Sequence, residues 1–238
     1  ACSAHHPLMI EAAVQFHAQA LKELFPSNGP VKTQIVGEVT KELESQAERV
    51  KDFMNYQVTE QMEEYFDDLD QMLFYLPIVG SCFKKVYYDS ELERPVAKFI
   101  PITDFVVSTN TTELRTSGRY THVIRMEANE LKKRQVSGFY RDIPLMEEDR
   151  LSESTSLTGI NEKIQDIEGV KPSTTYKKDA RFTLLEMHVD LDLPDSKKEF
   201  ACPYIVTVCK ETNDILAIRQ NFKDGDPKFK RLQYFVHY

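Results

Sequence analysis

The spacing of apolar residues changes character near residue 80, and that change limits the folds open to this chain. Before it, the spacing is helical. Met9, Ala13, Phe16, Ala20 and Leu24 recur at three- and four-residue steps after Pro7, a residue suited to a first helical turn. The breakers Phe25-Pro26-Ser27-Asn28-Gly29-Pro30 end that helix. A second stripe, Val39, Leu43, Ala47, Val50, Met54, Val58 and Met62, predicts a helix from about Glu38 to Met62 whose apolar side faces a core. Its steps are mostly four, so a coiled-coil seam is the weaker alternative. A third helix starts near Glu63, carries Leu69, Met72, Leu73 and Leu76, and ends or kinks at Pro77 and Gly80.

Beyond residue 80 the pattern is that of strands. Cys82 to Tyr88 and Val96 to Ile100 flank a turn and predict a hairpin. Phe105-Val106-Val107 and Tyr120 to Arg125 follow, then a short helix from Asn129 to Val136. Further strands are expected over Phe182–Leu193, Tyr204–Lys210, Ile215–Gln220 and Arg231–Tyr238, with Thr212-Asn213-Asp214 as a hairpin turn. Helices first and strands later predict an α+β fold, amphipathic helices packed on a mainly antiparallel or mixed sheet. The expected organisation is a helical part over 1–80 and a β-rich part over 81–238. Residues 147–180 are polar and aperiodic around one short helix near Ile160, Ile164 and Ile167, and read as a mobile segment.

The chain has 238 residues, long enough for a sizeable core. Its net charge of −8 is the opposite of what a tight nucleic-acid binder needs, because affinity comes from neutralising phosphates. An acidic wall would repel DNA. Cys2, Cys82, Cys202 and Cys209 form no C-x-x-C pair and read as free thiols of a reducing cytoplasm. The triplet Asn110-Thr111-Thr112 matches a glycosylation acceptor, but no signal peptide accompanies it. No apolar run nears the roughly 20 residues of a membrane span, so no membrane partner is expected. The start at Ala1 without Met, and the end at Tyr238 inside a strand-like run, suggest an excised piece of a longer protein.

Chemical motifs are scarce. None of the eight Gly falls into a G-x-G-x-x-G or Walker pattern, and neither G-x-S-x-G nor H-E-x-x-H occurs. The one candidate metal set is His188, Asp190 and Asp192, which alternation along a strand puts on one face. The same alternation has a plainer reading. Leu185, Met187, Val189, Leu191 and Leu193 would be the buried face and the three polar residues the outer one. A metal-dependent hydrolase or nuclease using this trio is the enzymatic alternative. The expected assignment is no catalytic, cofactor or metal residue.

Other polar groups have similarly plain readings. His5 and His6 are a terminal pair, and His17, His122 and His237 sit in periodic elements where packing is their expected role. Glu60, Glu63, Glu64, Asp67, Asp68 and Asp70 wind around a helix start, where negative charge suits the dipole, and read as a solvated face. Lys132-Lys133-Arg134 ends a short helix and also reads as solvated, although with Lys177, Lys178 and Arg181 it could meet a partner. By these features alone the chain is an α+β domain for interaction.

A longer pattern goes further. The run from Met62-Glu63-Glu64-Tyr65 through Phe83-Lys84-Lys85-Val86-Tyr87-Tyr88-Asp89 resembles the portal proteins of short-tailed phages. So do Phe99-Ile100-Pro101-Ile102-Thr103-Asp104-Phe105, Gly138-Phe139-Tyr140-Arg141-Asp142 and Leu185 to Leu193. The stretch from Cys202-Pro203-Tyr204 through Ile215 to Asn221 and on to Tyr234-Phe235-Val236-His237-Tyr238 continues the likeness in the same order. The resemblance implies a structural subunit, not an enzyme and without cofactors. Such subunits form a twelvefold ring at the capsid vertex, assembled in the bacterial cytoplasm. DNA passes through the ring without tight binding during packaging and ejection. Implied partners are sister copies, the terminase motor, capsid and scaffolding proteins, and tail or head-completion proteins. The matched part is mainly the wing, which precedes the stem, clip and crown.

Overall fold

The computed structural model describes residues 7–90, 92–144, 181–193 and 200–238. Among these the chain is α+β, with four α-helices and two antiparallel sheets. It divides into two compact units. The first comprises Ala1–Thr103 with Gln233–Tyr238, and the second Asp104–Leu232. The division therefore falls elsewhere than a split between helices and strands at 80/81. Its cause is pairing: the first hairpin packs on the helices before it, and the chain's last strand returns to that hairpin. The mobile segment expected at 147–180 and its short helix lie outside the described residues, as do Cys2, His5, His6, Lys177 and Lys178.

In the first unit, α1 (Leu8–Leu24) begins after Pro7 and closes with the Phe25 N–H donating to the Leu21 carbonyl. α2 (Lys41–Tyr56) is capped by Thr40, whose hydroxyl accepts from the Leu43 N–H at 3.3 Å. The helix expected to reach Met62 instead gives way to a π-helical turn at Gln57–Gln61. α3 (Tyr65–Val79) carries Pro77 in its last turn, where the proline removes one N–H to the preceding turn and the helix ends two residues later. Gly80 ends the helix at φ 85°, with its N–H bonded to the Leu76 carbonyl.

Leu69, Met72 and Leu73 of α3 form a core with Cys82, joined by Ala20, Leu21 and Phe25 from the end of α1 and by Phe99. β1 (Cys82–Asp89) and β2 (Arg94–Pro101) make the predicted hairpin. β8 (Phe235–His237) pairs with the other edge of β1, giving the order β2-β1-β8. The strand expected over 231–238 is thus confined to the three residues Phe235–His237.

The second unit is a five-stranded sheet in the order β3-β4-β5-β6-β7. Its strands are β3 (Phe105–Val107), β4 (Arg119–Glu127), β5 (Arg181–Leu191), β6 (Cys202–Cys209) and β7 (Ile215–Gln220). Asn213, at φ 60°, supplies the left-handed residue of the β6–β7 turn. α4 (Ala128–Val136) covers one face through Leu131, which is fully buried with Met126, Tyr140, Phe182, Leu184, Cys209 and Leu216. Gln135 ties this helix to the following segment, its amide donating to the carbonyls of Arg141 and Ile143. No helix among the described residues is long and apolar enough to cross a membrane.

Candidate functional site

β5 is the middle strand of the second unit's sheet, and its polar residues do not lie as alternation suggested. The covered face holds Phe182, Leu184 and His188, all fully buried. Leu185, Met187 and Val189 lie on the opposite face and are only half-buried. The expected assignment of His188 to an outer polar face is therefore wrong. β5 carries apolar residues at both parities, so alternation alone could not choose between its faces. The choice is made by Leu131 and Tyr140, which α4 and its following segment lay over the even-numbered side.

Register puts Tyr120 of β4 and Ile205 of β6 opposite His188. The Tyr120 ring stacks on the imidazole with centroids 4.8 Å apart, and Phe105 stacks on Tyr120 at 5.7 Å. Asn221 is also fully buried. Its amide nitrogen lies 3.3 Å from His188 Nδ1. An amide nitrogen can only donate, so Nδ1 accepts and the ring proton sits on Nε2. Nε2 in turn lies 3.1 Å from Glu186 Oε1, to which it donates. Both nitrogens of His188 thus have protein partners and neither points to solvent.

Arg231 closes this corner. Its guanidinium donates to the carbonyls of Ser117 at 2.6 Å and Gly118 at 3.1 Å, and to Asp190 Oδ1 at 2.7 Å. It also lies over the Tyr120 ring, 5.7 Å from the centroid. The Asn221 N–H bonds the Pro203 carbonyl, and the Leu232 N–H bonds the Asn221 carbonyl. Residues 221–232 are therefore fastened to one end of the sheet by a buried amide at one end and a three-way arginine clamp at the other. Beside the clamp is a cleft of about 310 Å³, with Arg115, Lys228, Arg231 and Asp190 among its walls and Phe200 and Phe229 on its apolar side. The two phenyl rings meet edge-on at 5.5 Å. On the sheet face opposite α4, Val106, Thr121, Val123, Leu185 and Met187 line an apolar groove of about 260 Å³.

The proposed trio is not brought together as a ligand set. His188 is engaged on both sides, Asp190 is paired with Arg231, and no group of three His, Cys, Asp or Glu residues among those described could hold a metal ion. The acidic run on α3 is also more occupied than a solvated face. Glu64 pairs with Arg94 at 2.7 Å, Asp70 meets His17 Nε2 at 2.7 Å, and Asp68 accepts the Phe99 N–H at 2.9 Å. Only Glu60, Glu63 and Asp67 of the six are exposed. Burial pushes the Asp68 carboxyl up, against the pull of the Phe99 N–H and Lys84. On the basic run, Lys132 pairs with Asp142 at 2.7 Å and Arg134 with Glu130 at 2.8 Å, both at the surface. His237 stacks on Phe83 and bonds Ser81, while His122 is buried on β4.

Sequence reasoning passed over Lys84. It is 4% exposed, with its ammonium 3.9 Å above the centre of the Tyr65 ring. Burial holds its pKa below the usual lysine value, opposed by Asp68 and Cys82. Its position in a strand that begins with apolar Cys82-Phe83 was the available signal. Cys82 and Cys209 are buried free thiols, and burial raises the pKa of each.

No protein-family model matches the chain. No curated protein matches it either.

Proposed function

We propose that this chain is part of a portal protein of the short-tailed phage type, a structural subunit of the ring at the capsid vertex. The observation that carries the reading is the ordered resemblance along the sequence from Met62 to Tyr238. The subunit acts as a scaffold and catalyses nothing. Its partners are sister copies, the terminase motor, capsid and scaffolding proteins, and tail or head-completion proteins, and its place is the virion.

Two physical features support the reading. The net charge of −8 suits a conduit wall that does not grip phosphates. α2 is amphipathic yet has no buried residue, and Leu43, Val50, Phe53 and Met54 are 41–56% exposed. Apolar side chains left bare at helical spacing suit a chain that meets other protein surfaces. Electron microscopy of the full-length gene product tests the proposal. Closed rings are expected, and a field of single protomers at high concentration would refute it.

A further inference from the structure

Among the described residues, the cleft beside Arg231 is lined by more positive than negative side chains. Arg115 stands on the loop leading into β4, and Lys228 on the segment that the Arg231 clamp fastens down. Among the described residues, neither Arg115 nor Lys228 has an ion-pair partner. Arg231 is already matched to Asp190 at 2.7 Å. With Arg115, Lys228 and Arg231 positive and Asp190 negative, the lining is left with two unmatched positive charges.

We propose that this cleft binds a phosphate group. A phosphomonoester carries about 1.5 to 2 negative charges at neutral pH, which matches the surplus where a single carboxylate would leave half of it. The volume of about 310 Å³ admits such a group with part of what carries it. Arg115 supplies a planar fork of N–H donors and Lys228 a point charge, the two usual ways to hold phosphate oxygens. The Phe200 and Phe229 rings give the cleft one apolar wall. The clamp explains why the site keeps its shape: Arg231 is held by two backbone carbonyls and Asp190, so the cations approach a prepared wall. The phosphate could belong to a small ion or ester, or to a nucleic-acid backbone. Each offers phosphate oxygens to the same cations, a monoester with both negative charges on one group and a backbone with one per phosphodiester, so a backbone would meet the surplus with two adjacent phosphates. This inference does not depend on the portal reading.

The test is calorimetric titration of the 238-residue chain at low salt with three probes. They are inorganic phosphate, a short single-stranded DNA without terminal phosphates, and succinate as a dicarboxylate of similar charge. Saturable binding of phosphate or of the DNA is expected, weakened about tenfold by Arg115→Ala and again by Lys228→Ala, each removing one charge-assisted contact. Binding of phosphate alone assigns the source to a small ion or ester, and binding of the DNA assigns it to a backbone. Both residues are exposed, so neither variant should alter the thermal melt. Absence of binding by both phosphate probes overturns the proposal. So does binding that both variants leave unchanged, or succinate binding as tightly as phosphate.

Discussion

α2 and α3 carry similar apolar stripes and meet opposite fates. Leu69, Met72 and Leu73 of α3 are 3–6% exposed, packed against Cys82 and the end of α1. Leu43, Val50, Phe53 and Met54 of α2 are all at least 41% exposed. Periodicity identifies that a helix has an apolar face, but not whether its own chain covers that face. Coverage depends on where non-local elements return. α3 is covered because the β1–β2 hairpin follows it directly and folds back over it, with Asp68 accepting the Phe99 N–H as a latch. α2 is held mainly by its edges, through Asn55 to the backbone of Val31 and Thr33 to the carbonyl of Ala47.

Paired truncations test this contrast most strongly. Leu73→Ala should cost about 2–5 kcal/mol in chemical denaturation, because it opens a cavity in a packed core. Phe53→Ala on α2 should stay within about 0.5 kcal/mol for the isolated protomer. Equal losses would mean that the α2 stripe is covered after all.

The same contrast between a buried and a half-buried face operates within β5. His188→Leu should cost about 1–3 kcal/mol by leaving the buried Asn221 amide and Glu186 without their partner. Met187→Ala, on the half-buried opposite face, should cost less. Equal losses for the two variants in chemical denaturation would contradict the covered placement of His188.

Lys84 sharpens the comparison in the other direction. Its charge is buried at a net cost, as its lowered pKa shows, so Lys84→Met should raise stability at neutral pH, by less than that cost because Asp68 and the Tyr65 ring lose their partner. The sign with pH follows from its lowered pKa. Between the folded and unfolded values the unfolded chain binds more protons, so the lysine's penalty fades as pH rises through that window. The gain from Lys84→Met should therefore shrink in alkaline denaturation curves. A modest effect is expected for Asp190→Asn. Its carboxylate is half-exposed, so losing the Arg231 pair should cost at most about 1 kcal/mol.

Much of the fold was legible in the sequence. The α+β class, the starts of α1 and α3, the first hairpin and the Asn213 turn all followed from local spacing and turn chemistry. The remainder depended on non-local pairing. Nothing near Phe235 announces that it will pair with Lys85, so the boundary at 103/104 and the closing strand could not be read locally. The face of β5 was illegible because both parities are apolar. The cleft was illegible because Arg115, Asp190 and the Lys228–Arg231 stretch are far apart in sequence and converge only in the fold.

The proposal to be tested is that sister copies cover the apolar stripe of α2, whose Val50 and Phe53 are 44% and 56% exposed. Native mass measurement of the full-length gene product tests it most directly. The account predicts a discrete closed assembly, twelve protomers in the mature form, that dissociates when Val50 and Phe53 are both changed to Asp. A protein that stays at the mass of one protomer at every concentration would contradict it.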